Sequence, residues 1–176
     1  MPEIELDGEA YKGKYELNNR KSIKKFILVK LRLNNEGKNK IYTNLDTDEK
    51  ITLSVNSAGK LAGHYKHSEA YQKTIAHIPK IIENMKFIEE MMPEKENSKY
   101  DKYSYYILRV KIEGGPHTIL STVGHNKDGI YYDQNVFKGT PQEIFNEARN
   151  TSLENAQYSR LKEILKDTEK SNWSHT

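Results

Sequence analysis

At 176 residues and a formal net charge of +3, the chain is long enough to bury one real core and too evenly charged for that balance to name a partner. It has no cysteine, which excludes disulfides, thiolate nucleophiles and thiolate metal sites. No apolar run approaches the roughly 20 residues that span a bilayer, and the N-terminus lacks the apolar core of a signal peptide, so a cytoplasmic protein with no membrane partner is expected.

Residues 1–19 are acidic, with Glu3, Glu5, Asp7, Glu9 and Glu16 against Lys12 and Lys14, and follow no period. An irregular, poorly packed arm is expected there. Residues 20–40 reverse the sign, with Arg20, Lys21, Lys24, Lys25, Lys30, Arg32, Lys38 and Lys40 against Glu36. Residues 27–33 alternate as a strand would. Such a segment can track phosphates, or serve only as a basic edge strand or linker. Residues 40–55 are rich in β-branched side chains around an Asp46-Thr47-Asp48-Glu49 turn, which predicts a hairpin or two short strands. Residues 56–67 read as loop and carry Lys60, His64, Lys66 and His67.

Ser68 is an expected N-cap, and Tyr71, Ile75, Ile78, Ile82, Met85, Ile88 and Met92 then recur at spacings of three and four, one face of a helix. Pro79 predicts a kink near His77. A charged loop over residues 91–101 leads into the most regular stretch, residues 103–134. There Tyr106, Leu108, Val110 and Ile112 alternate with Tyr105, Ile107, Arg109 and Lys111. Glu113-Gly114-Gly115-Pro116 and the Asp128-Gly129 pair are turn signals, so three antiparallel strands are expected. Thr140-Pro141-Gln142-Glu143 is a capping box with proline at the first helical position, followed by the apolar Ile144, Phe145 and Ala148. A break at 150–157, an amphipathic helix at 158–166 and a polar tail complete the chain. The reading is an α+β fold: an antiparallel sheet in the order strand, helix, strand, strand, strand, a helix packed on it, and C-terminal helices. It divides into an arm (1–39), a core (40–137) and a helical extension (138–176).

Phosphate-cradling loops, HExxH and GxSxG are absent. His64, His67 and Glu69 are close in sequence but need a fourth group to hold zinc, so no metal and no cofactor are expected. What the residue types allow is metal-free acid–base chemistry. RNA carries its own nucleophile, the 2′-hydroxyl, and asks of a protein only a base, an acid and a cation for the phosphorane. His64 is the expected base, Arg109 a phosphate contact, and Thr122 and Tyr132 hydrogen-bond donors. Lys60, Lys66, Lys111 and His125 are expected to bind substrate. Each has an ordinary reading beside this one: solvated loop histidines, the wet face of a strand, tyrosines packed in a sheet.

Three stretches together resemble a known group. They are ITLSVNSAGKLAGH (residues 51–64), AHIPKIIENMKFIEE (76–90), and YYILRVKIEGGPHTILSTVG with IYYDQNVF (105–124 and 130–137). Their order is similar to that of small domains in large polyvalent proteins of phages and conjugative elements, associated with the barnase–EndoU–colicin–RelE-like nuclease fold. The resemblance implies a helix on an antiparallel sheet and metal-independent RNA cleavage by an effector or toxin of a mobile element. It also implies RNA, tRNA included, as substrate and a cognate immunity or antitoxin protein as partner. In the resembled pattern a histidine follows the Tyr-Tyr-Asp run, and here Gln134 stands there. The alternative is a non-catalytic module that uses the same basic face to hold nucleic acid or a protein. An inhibitor is disfavoured, because inhibitors of basic nucleases are acidic.

Overall fold

The alternation of residues 102–138 is realised as three long strands, β5 (Lys102–Ile112), β6 (Gly115–Asn126) and β7 (Gly129–Lys138), in a computed structural model that describes residues 3–93, 100–126 and 129–150. They pair antiparallel in sequence order, with Tyr106 opposite Ser121 opposite Gln134 and Leu108 opposite Ile119 opposite Val136. Period two then sorts the side chains. Ser104, Tyr106, Leu108, Val110, Val123, Tyr132 and Gln134 share the inner face. Tyr105, Ile107, Arg109, Thr122, Tyr131 and Asp133 share the outer one. The β5–β6 turn is two residues, Glu113 and Gly114, both left-handed (φ 56° and 79°), the combination that matches the twist of a hairpin. Lys73 pairs with the Glu113 carboxylate and holds this non-glycine residue in place.

The other edge of β5 is shared. β4 (Lys86–Met91) runs antiparallel to one half, with an irregularity between Phe87 and Glu89, and β1 (Ile4–Leu6) runs parallel to Val110–Ile112. Both correct the expectations. The helical spacing of Ile88 and Met92 does not extend the helix, because the open edge of β5 captures residues 86–91, and the Asp46 carboxylate accepts from the outward N–H of Phe87 at 2.9 Å. Nor are residues 3–19 loose. Leu6 and Tyr15 are buried, and the Tyr15 hydroxyl donates to the Gln72 carbonyl at 2.6 Å while accepting from Ala76 N–H.

Helices cover the inner face. α1 (Arg20–Phe26) passes directly into a π-helical turn, Ile27–Leu31, where alternation predicts a strand. Asn19 caps it by accepting from Ser22 N–H at 3.0 Å. Ile23, Phe26, Ile27 and Leu31, three to four apart, are the residues it buries. α2 (Val55–Gly63) occupies what reads as loop. Asn56, Ser57, Gly59 and Gly63 are poor helix formers, but Ala58, Leu61 and Ala62 are fully buried, and that packing overrides propensity. Ser68 caps α3 (Glu69–Thr74), a 3₁₀ turn follows at Ile75–His77, and α4 (Ile78–Asn84) carries Pro79 in its first turn, so the expected kink is present.

β2 (Tyr42–Thr43) and β3 (Lys50–Ile51) form a small separate hairpin. Its turn is held by Asn44, whose amide donates to the carbonyls of Ile82 and Met85. After β7, Thr140 and Glu143 close the predicted capping box on α5 (Pro141–Asn150), each backbone N–H donating to the other's side chain. Ile144 is buried. The side chains of Phe145 and Ala148, the turn at 127–128, most of the 91–101 loop, and the helix and tail expected beyond 150 lie outside the described residues. Among the described residues no helix is long and apolar enough to cross a membrane.

Candidate functional site

β7 is an edge strand, and α2 lies along it. The Tyr132 N–H, which points away from β6, donates to Ser57 Oγ at 2.8 Å. That bond sets where the end of α2 falls, and the end is His64, the C-cap residue. From there the imidazole reaches round the strand to the outer face, where its Nε2 lies 3.2 Å from Asp133 Oδ2. The same carboxylate oxygen accepts from the Tyr131 hydroxyl at 3.1 Å, and Oδ1 accepts from Gln134 N–H at 2.9 Å. Asp133 is therefore held from both oxygens, and it in turn fixes the imidazole. The side chains are 27% (His64) and 17% (Asp133) exposed, shielded but open to a substrate.

His67 completes this corner. Its ring stacks on His64 with centroids 4.8 Å apart, and both rings meet Tyr71 edge-on. Tyr71 is buried and its hydroxyl donates to the Leu61 carbonyl, so the wall behind the imidazoles is rigid. Burial, and then the neighbouring His64, lower the His67 pKa from its ordinary value. Burial, and then Asp133, raise that of the Tyr131 hydroxyl, which keeps it a donor. Lys60, one turn before the end of α2, sits 5.3 Å over the Tyr131 ring. Thr122, on β6, is in register with Asp133. Among the described residues no three histidines or carboxylates gather to hold a metal ion.

Of the residues singled out from sequence, His64, Lys60 and Thr122 converge, and Lys66 is exposed close by, next to Tyr65. Arg109 and Lys111 do not join them. Arg109 lies two strands away and four residues along, about 16 Å by strand geometry, with its Nε 3.6 Å from Glu3. Tyr132 points inward and is fully buried. It donates to Gln134 Oε1 at 2.8 Å and shares a bond with Ser121, so no substrate can reach it. Gln134 is as deeply buried and donates to Thr74. His125 is also on the inner face, 3.0 Å from Glu49. Reading the sequence missed Asp133 and Tyr131. Both stand in a strand that looks like ordinary sheet, and the partner of Asp133 is 69 residues away.

A family model described as large polyvalent protein-associated domain 3 matches residues 16–132, more than half of the chain. No curated protein and no solved structure matches.

Proposed function

We propose that this chain, which belongs to the large polyvalent protein-associated domain 3 family, cleaves RNA without a metal at the outer edge of β7, in the cytoplasm, as an effector of a mobile element. The observation that carries this reading is the His64–Asp133 pair at 3.2 Å. With Nε2–H given to the carboxylate, the lone pair of Nδ1 is free to take the proton of a 2′-hydroxyl. The 2′-oxygen then attacks phosphorus, the bond to the 5′-oxygen breaks, and a 2′,3′-cyclic phosphate remains. The leaving oxygen takes its proton from the second imidazole, His67, in its protonated form, which its lowered pKa makes scarcer at neutral pH but more acidic. Lys60 faces the charge that grows on the phosphorane, and Thr122 offers a hydroxyl beside it. The test is purified protein in EDTA with single-stranded RNA, tRNA and DNA. RNA should be cut to cyclic-phosphate ends and DNA spared, since DNA lacks the nucleophile.

One observation favours a second reading, a module that holds RNA without cutting it. The place where the resembled pattern carries histidine is Gln134, and it is wholly buried. Binding without cleavage across that panel selects this reading. A cognate immunity or antitoxin protein, if one is made, would act by masking this edge.

A further inference from the structure

We infer that the exposed face of α1 is a track for the phosphates of single-stranded RNA leading to the end of α2, an inference that rests on reading RNA as the ligand. Residues 20–30 hold five cations, Arg20, Lys21, Lys24, Lys25 and Lys30, and no acid. Because Ile23, Phe26, Ile27 and Leu31 are buried, the cations are turned to solvent on a fixed body rather than on a loose arm. Among the described residues none of the five is in an ion pair, and no acid within the run offsets them. The nearest acid upstream, Glu16, accepts from the Asn19 side chain.

Helix stability does not account for this pattern. Lys24 and Lys25 in the last turn complement the helix dipole, but the first turn has Arg20 and Lys21 and no acid, the arrangement the dipole opposes. An anion lying against Arg20 and Lys21 relieves the end that the dipole opposes. α1 packs on α2, and α2 carries Lys60 and ends at His64, so the helix that bears the cations is the direct neighbour of the helix that bears the corner described above.

Each phosphate neutralised on a single strand contributes about −0.7 to the slope of log affinity against log salt. The four contacts of α1 predict a slope of about −2.8, or about a 50-fold loss over a fourfold rise in salt. The experiment uses the full chain carrying His64→Ala, so that RNA survives, and a fluorescent single-stranded RNA titrated from about 50 to 200 mM salt. Adding Lys21→Gln, Lys24→Gln and Lys25→Gln should make the slope shallower by about 2 and weaken binding at the lowest salt by at least about tenfold. Lys80→Gln, Lys86→Gln and Lys138→Gln, exposed positions elsewhere with the same loss of charge, should leave the slope within about 0.5 of the parent. Equal effects of the two triple variants, or no RNA binding at the lowest salt, overturn the inference. Strong, α1-dependent binding by a protein that never cuts RNA would sustain it while removing the cleavage reading.

Discussion

His64–Asp133 and Glu49–His125 are the same two chemical groups at nearly the same separation, 3.2 and 3.0 Å, on opposite faces of one sheet. Their side chains are comparably shielded, so distance and burial alone do not distinguish them. Their neighbours do. Glu49 accepts from the Tyr106 hydroxyl at 2.7 Å as well as facing His125, and Tyr106 also meets the Thr47 hydroxyl. The His125 nitrogen that faces Glu49, Nε2, is also the one nearest Ser104, so the ring cannot pass a proton from one side to the other as a serine–histidine–acid relay does. Glu49 directly precedes β3, and its bonds brace the β2–β3 hairpin against β5 and β6. Beside Asp133, by contrast, stand a second imidazole, His67, stacked on His64, and Lys60 over the Tyr131 ring. The inner pair ties a hairpin to the sheet through Tyr106 and His125, whereas the outer pair is grouped with a second imidazole at the edge strand, and that grouping makes it the candidate for chemistry.

The sharpest way to break this comparison is to remove the imidazole of the outer pair and the charge of the inner acid. His64→Ala should lose at least about 100-fold in RNA cleavage measured in EDTA, with an unfolding midpoint close to that of the parent. Cleavage at the parental rate would place the two pairs in one class. Glu49→Gln should do the reverse. It should cost about 1–3 kcal/mol of stability by urea unfolding and leave the rate unchanged, whereas a loss of rate without a loss of stability would move the chemistry to the inner face.

The brace also carries a pH signature. Burial pushes the Glu49 carboxyl upward, but hydrogen bonds from His125 and then Tyr106 outweigh it, and the net shift is downward. A depressed carboxyl binds fewer protons folded than unfolded, so its contribution is present above the ordinary glutamate range, about pH 4.3, and is lost as pH falls through the folded value. Stability of the parent should therefore fall more steeply below that pH than stability of Glu49→Gln. Tyr132→Phe tests the inner face from within. It removes the bonds to Ser121 and Gln134 and should cost about 1–2 kcal/mol, with cleavage retained, since the hydroxyl is sealed from substrate. The smallest effect belongs to His67. Its titration by imidazole NMR should have a midpoint below the ordinary value of about 6.5. Folding then disfavours its proton, so stability drops slightly as pH falls through that ordinary value. His64→Ala should raise the midpoint only a little, because burial is the larger cause.

Local signals carried the meander, the kink at His77 and the capping box of Thr140 and Glu143 from sequence to structure with little change. Each is decided within a few residues: period two between two turn dipeptides, a proline inside a helical stripe, a threonine and a glutamate three apart. The α+β class follows from those elements alone.

What only the tertiary structure decided is where a local preference is weak and a distant partner is strong. α2 is helical because Ala58, Leu61 and Ala62 are buried, not because its glycines and asparagine favour a helix. Residues 86–91 are a strand because β5 had an unpaired edge, and residues 4–6 are one for the same reason. The candidate site is of this kind throughout. His64 was legible as a base by its chemistry, but the acid that orients it stands in another element 69 residues away. No spacing along the chain encodes that meeting. It arises because the backbone N–H of Tyr132 on an edge strand needed an acceptor, Ser57 supplied it, and the helix end was thereby set against Asp133.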